Sequence, residues 1–91
     1  MLTADEVLNA RFTTGGTLYA GYDAHQVDDW LDRVISTLRA HEGEADGDVQ
    51  LLAEDAQQVR FRMLRGAGAY DTVQVDDVID RIASALVEHE A

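Results

Sequence analysis

From Ala24 to His41 the apolar positions Val27, Trp30, Leu31, Val34, Ile35 and Leu38 step by three and four, while Asp28, Asp29, Asp32, Arg33 and Arg39 fall largely elsewhere. This is the period of a helix with one dry face, and it predicts an amphipathic helix of about five turns. Val75, Val78, Ile79, Ile82, Ala83 and Leu86 draw the same stripe near the C-terminus and predict a second long helix. Between the two, Leu52, Ala56, Val59 and Met63 are spaced for one face, so a third helix is expected from about Val49 to Phe61, with Asp48 as its N-cap. Thr3-Ala4-Asp5-Glu6 has the form of a capping box and predicts a short helix from Ala4 to about Ala10, with Phe12 after it as a packing anchor.

The segments between these patterns read as loops. Thr13 to Gly21 contains Gly15, Gly16 and Gly21 and shows no helical period, and Leu18 and Tyr19 lie near its tip. Asp23 is expected to cap the first long helix with Gln26 at N3 as its box partner, and Asp71 with Gln74 repeats the device. The stretch from Glu42 to Asp48 is acidic and broken by glycine, and it reads as a linker.

The pattern is written twice. Residues 21–34 (GYDAHQVDDWLDRV) return at an offset of 48 as residues 69–82 (AYDTVQVDDVIDRI), and Ser36, Leu38, His41 and Glu42 meet Ser84, Leu86, His89 and Glu90 at the same offset. Upstream the offset is 49, with Leu2, Ala4, Arg11 and Phe12 answering Leu51, Ala53, Arg60 and Phe61. The unit is a module of about 45 residues, near the size below which a core cannot usually stabilise itself. Two modules, 1–46 and 47–91, sharing one core are therefore expected.

Helix lengths restrict the topology. The first long helix spans roughly 27 Å and the middle one roughly 20 Å. If the linker reverses the chain, the middle helix runs back along the first, the two long helices lie parallel, and loops 13–21 and 62–69 project from one end. The expected fold is all-α, two short-helix/loop/long-helix modules forming a small pseudo-twofold bundle or coiled coil.

Composition narrows the function. Eighteen acidic residues stand against seven arginines, for a net charge of −11, and they divide evenly between the modules. Nucleic-acid binding is disfavoured, because phosphate contacts need a basic face. The chain has no cysteine, no opening basic-plus-apolar segment and no run of about 18 apolar residues, so a cytoplasmic protein without disulfides is expected.

At Asn9, Phe12-Thr13, Gly21-Tyr22-Asp23 and residues 27–34 the chain resembles the N-terminal domain of the DivIVA family of bacterial division and polar-growth proteins. The resemblance covers nearly all of the first module and about two thirds of the second. It implies a short helix, a loop and a coiled-coil helix, paired in parallel, with an apolar and a basic residue at the loop tip inserting into strongly curved membrane. The lysine-free, Arg/Asp/Ala/Val-rich composition looks like the actinobacterial branch, in which short tandem-repeat proteins occur. The long coiled coil of the family is missing, Leu18-Tyr19-Ala20 keeps the apolar tip without a basic partner, Met63-Leu64-Arg65 carries both, and Ala69 replaces the glycine of Gly-Tyr-Asp.

Each remaining motif has a structural reading. Asp28-Asp29 and Asp76-Asp77 diverge by about 100° on a helix, so neither pair converges on one atom, and a solvated face is expected. His41-Glu42 and His89-Glu90 suggest helix C-terminal capping rather than metal binding. Trp30 falls on the apolar stripe as core or interface, with Phe12, Val27, Leu31, Val34, Phe61, Val75, Ile79 and Ile82. Arg60, Arg62 and Arg65 form the basic cluster, a candidate for lipid headgroups or an acidic partner. Gly15-Gly16 reads as a turn, since no strand precedes it and no lysine follows. With no nucleophile-base pair, phosphate loop or zinc spacing, a non-enzymatic adaptor with no cofactor and no metal is expected. Its contact residues are Leu18, Tyr19, Met63, Leu64 and Arg65, and its partners are proteins of the division or cell-wall machinery, with a membrane surface as a second candidate. It would be a monomeric pseudo-dimer or a homodimer, peripheral to the membrane where lipid is bound. The alternative is an acidic decoy that occupies a basic site on its target.

Overall fold

Thr3 opens the first element as its sequence demands. In the computed structural model, which describes residues 1–14 and 19–91, its hydroxyl accepts from Glu6 N at 3.3 Å while the Glu6 carboxylate accepts from Thr3 N at 3.2 Å. The helix α1 (Ala4–Leu8) stops two residues sooner than expected, at Asn9, and the chain turns so that Phe12 meets Tyr70 with ring centroids 5.0 Å apart.

The long helices follow the stripes. α2 (Ala24–His41) buries Val27, Trp30, Leu31, Val34, Ile35 and Leu38. α4 (Thr72–Glu90) buries Val75, Ile82, Ala85 and Leu86, with Val78 and Ile79 half-buried. Asp23 and Asp71 cap them through His25 N and Val73 N. Gln26 and Gln74 are not their box partners. Gln26 Oε1 accepts from Arg62 N and Gln74 Oε1 from Thr13 N, both at 2.7 Å, so each glutamine ties down the other module's loop.

The middle of the chain is less helical than its pattern suggests. α3 (Ala53–Gln58) replaces the expected helix from Val49 to Phe61, and Asp48 is not its N-cap. Residues 48–51 are instead non-helical and lie beside α2, where Asp48 N donates to Ser36 O at 3.0 Å, and Gln50 N and Leu51 N donate to Thr37 Oγ1 at 2.9 and 3.2 Å. The acceptors on α2 satisfy amides that a helix start would leave free. α3 then runs antiparallel to α4, as α1 does to α2: Ala4 N donates to Glu42 Oε2 and Ala53 N to Glu90 Oε2.

The all-α expectation is overturned at the loops. β1 (Ala20–Asp23), β2 (Met63–Arg65) and β3 (Ala69–Tyr70) form a three-stranded antiparallel sheet in the order β2-β1-β3. The register pairs Gly21 with Leu64 and Tyr22 with both Met63 and Tyr70, and Thr14 bridges to Tyr70 on the far side. Every one of these pairings joins the first module to the second. Backbone bonds from Asp23 N to Arg62 O and from Asp71 N to Thr13 O extend the exchange. The strands are short and borrow their partners from the other copy, so neither loop carries a period that would announce them.

Because both long helices start from this sheet and end where the rings of His41 and His89 stack at 4.6 Å, they run parallel about a pseudo-twofold axis. A single apolar cluster from Leu2 to Leu86 fills the space between all four helices. The molecule measures 42 × 21 × 19 Å, with the sheet at one end and the histidines at the other.

Candidate functional site

Strand pairing gathers the residues expected at the loop tips. Gly21 opposite Leu64 and Ala20 opposite Arg65 bring the end of the first loop against β2. Tyr19 is 76% exposed just before β1, Met63 and Arg65 are exposed on β2, and Leu64 is half-buried between them. Leu18 lies outside the described residues. Sequence reasoning missed Val73, which is 74% exposed in the first turn of α4, beside β3. The signal was available, since Val73 lies off the helix stripe and aligns with the polar His25.

The stripe residues separate from this surface. Val27, Val34 and Ile82 are fully enclosed, and Leu31 and Val75 nearly so. Trp30 is 7% exposed and packs edge-on against Phe61 at 6.0 Å, which makes it part of the core rather than a platform for a ligand. Phe12, Phe61 and Ile79 are half-buried on the flanks, and Tyr22 leans on Phe61 as Tyr70 does on Phe12.

The basic cluster divides by role. Arg62 pairs with the buried Asp23 at 3.1 Å, so this cation anchors the second loop to the first cap. Arg60 and Arg65 make no ion pair among the described residues, and Arg65 stands directly beside the apolar tip. One weakly hydrated guanidinium next to exposed Tyr and Met is a surface able to meet an anionic group and an apolar one together.

The carboxylate pairs are not simply solvated. Asp76 accepts from the Tyr22 hydroxyl at 2.7 Å and Asp28 from that of Tyr70 at 2.9 Å, again each module bonding the other. Both phenols are held above their ordinary pKa of 10.0. For Tyr22 the bond to Asp76 is the main cause and burial the next, whereas for Tyr70 burial leads and the bond to Asp28 follows. These contacts lie in two equivalent grooves of about 590 and 430 Å³, one between α1 and α2, the other between α3 and α4.

At the opposite end His41 and His89 stand in the last turns of their helices and Glu42 is the C-cap of α2, and the repeated pairs also make contacts between elements. His41 and His89 lie face to face, 2° from parallel, with both Nε2 atoms buried and unpartnered among the described residues. Glu42 and Glu90 supply anionic acceptors to the N-termini of α1 and α3. Among the described residues no group of three or more His, Cys, Asp and Glu gathers as for a metal ion, and no helix is long and apolar enough to cross a membrane.

No protein-family model, curated protein or solved structure matches this chain.

Proposed function

We propose that this protein is a non-enzymatic adaptor of cell division or polar growth, in which two DivIVA-like modules are joined in one polypeptide and act from the sheet end on a protein partner and a membrane surface. The observation that carries the reading is the convergence at one end of Tyr19, just before β1, with Met63, Leu64 and Arg65 on the neighbouring β2, so that the two modules present one bivalent contact. Residues that resemble a membrane-touching family supply the class of partner. The place of action is then cytoplasmic, peripheral at the membrane.

The chain's own charge opposes binding to anionic lipid, so the apolar side chains must supply the attraction and Arg65 the local complement. In liposome sedimentation, wild-type protein should co-pellet with small, strongly curved vesicles, and the triple variant Leu18→Ser/Tyr19→Ser/Leu64→Ser should remain in the supernatant. If wild-type protein ignores vesicles of every curvature and charge, membrane binding falls and the sheet end is left as a protein-docking surface. Tight, strongly salt-dependent binding to a basic protein without lipid binding would favour the acidic decoy instead.

A further inference from the structure

The His-Glu pair is kept in both modules while the residues just before it change. Arg39-Ala40 precedes it in the first and Val87-Glu88 in the second. The fold brings the two histidines together, with rings 4.6 Å apart and 2° from parallel, one turn beyond the fully enclosed Leu38 and Leu86. Each residue is only partly buried, yet both Nε2 atoms are shut off from solvent and have no hydrogen-bond partner among the described residues.

A neutral imidazole can occupy this place and an imidazolium cannot do so twice. With its proton on Nδ1 the neutral ring leaves only a lone pair at Nε2, whereas the protonated ring must bury an N–H there without an acceptor. Protonation of both rings also sets two cations face to face at the stacking distance. The C-termini of α2 and α4 favour imidazolium, but they do so as well when the rings have parted, so they do not hold the stack closed.

No carboxylate among the described residues accepts from either ring. On α2, Glu42 is bound to Ala4 N at 2.9 Å, and Arg39 is paired with Glu44 and Asp46 of the linker. On α4, Glu90 is bound to Ala53 N at 2.7 Å and Glu88 is exposed. In the first turns of α1 and α3, Glu6 and Asp55 accept from Thr3 N and Leu52 N, while Asp5 and Glu54 are exposed. The Met1 ammonium and the Ala91 carboxylate belong to exposed residues.

We propose that His41 and His89 form a pH-sensitive clasp, closed while both rings are neutral and opened when both take up protons. Opening parts the last turns of α2 and α4, and it loosens the starts of α1 and α3, which the adjoining Glu42 and Glu90 hold. The sheet end, joined by strand pairing, stays closed. The opened end binds more protons than the closed one, so the clasp is shut above the ordinary imidazole range near about pH 6.5 and gives way as the pH falls through it. It works whether or not the sheet end binds lipid.

The test is amide hydrogen exchange of the full chain at about pH 7.5 and about pH 5.5, corrected for the intrinsic pH dependence of exchange, a window above the ordinary carboxylate range of about 4. Opening read at Leu38, His41 and Leu86 should increase at least about tenfold at the lower pH, the linkage of one proton or more. The Asp23 and Asp71 amides, bonded at the sheet, should keep their protection. His41→Phe/His89→Phe, which keeps two rings and removes their titration, should abolish the response, and His25→Gln, at an exposed position at the other end of α2, should leave it intact. Should the double variant fail to fold, His41→Phe and His89→Phe singly carry the test, each with a reduced response because the remaining ring faces no second cation. Unchanged protection at the lower pH, a response undiminished in the phenylalanine variants, or its loss in His25→Gln would overturn the proposal.

Discussion

Gly21 and Ala69 occupy the same place in the repeat and differ for a physical reason. A Cβ at Gly21 would run into the carbonyl oxygen of Tyr70 and come within 3.0 Å of its carbon and 3.1 Å of the Ala69 Cβ. Across the pseudo-twofold axis only one of the two positions has room for a methyl group. Gly21→Ala should therefore cost about 1–3 kcal/mol through overpacking, read as a lower denaturant midpoint with an unchanged slope. Tyr22 and Tyr70 give a second expectation at this scale. Their pKa values are raised in the folded state above 10.0, so folding retains protons that the unfolded chain releases. The contribution is complete below about pH 10 and is lost as pH rises through the folded values. The thermal midpoint should fall above about pH 10, and less steeply in Tyr22→Phe/Tyr70→Phe. Parallel falls in the two proteins would remove the tyrosine-aspartate bonds as the cause.

At the scale of elements, a single buried hydroxyl fixes Gln50 and Leu51 against α2. Thr37 Oγ1 is fully buried, donates to Arg33 O at 2.9 Å and accepts from Gln50 N and Leu51 N. Thr37→Val keeps the shape and leaves these two amides without their acceptor, at a cost of about 1–3 kcal/mol. Hydrogen exchange at Gln50 and Leu51 should accelerate first, before the helices respond. Unchanged protection there would mean that the linker is held by other contacts. The same hydroxyl explains why the helix expected from Val49 ends up starting at Ala53. The stripe of Leu52, Ala56, Val59 and Met63 was legible, but the competing acceptor belongs to α2, and no local window contains it.

For the whole molecule, the decisive fact is that all described strand pairings run between the modules. Residues 1–46 or 47–91 alone have no strand partner and half a core. Expressed separately, each should be poorly folded or should dimerise by exchanging loops with its own copy, and mixing the halves should restore helical circular dichroism with a single cooperative transition. Two halves that each melt cooperatively as monomers would contradict the shared core. The parallel helices, with β1 and β2 at one end, were within reach of the sequence as an arrangement, because helix lengths and a reversing linker leave few ways to place the two modules.

Sequence alone determined the two long helices and their caps at Asp23 and Asp71, since period, capping chemistry and repeat are local properties of the chain. Tertiary structure alone decided the roles of the residues that the modules exchange. Gln26 and Gln74 serve the opposite loops, Tyr22 and Tyr70 bond the opposite helices, His41 and His89 meet on the axis, and the loops become strands. An unpaired backbone amide has no preferred partner until another segment is brought beside it. Here that segment lies about half the chain away, and a repeat records only that two places are alike, not that each completes the other.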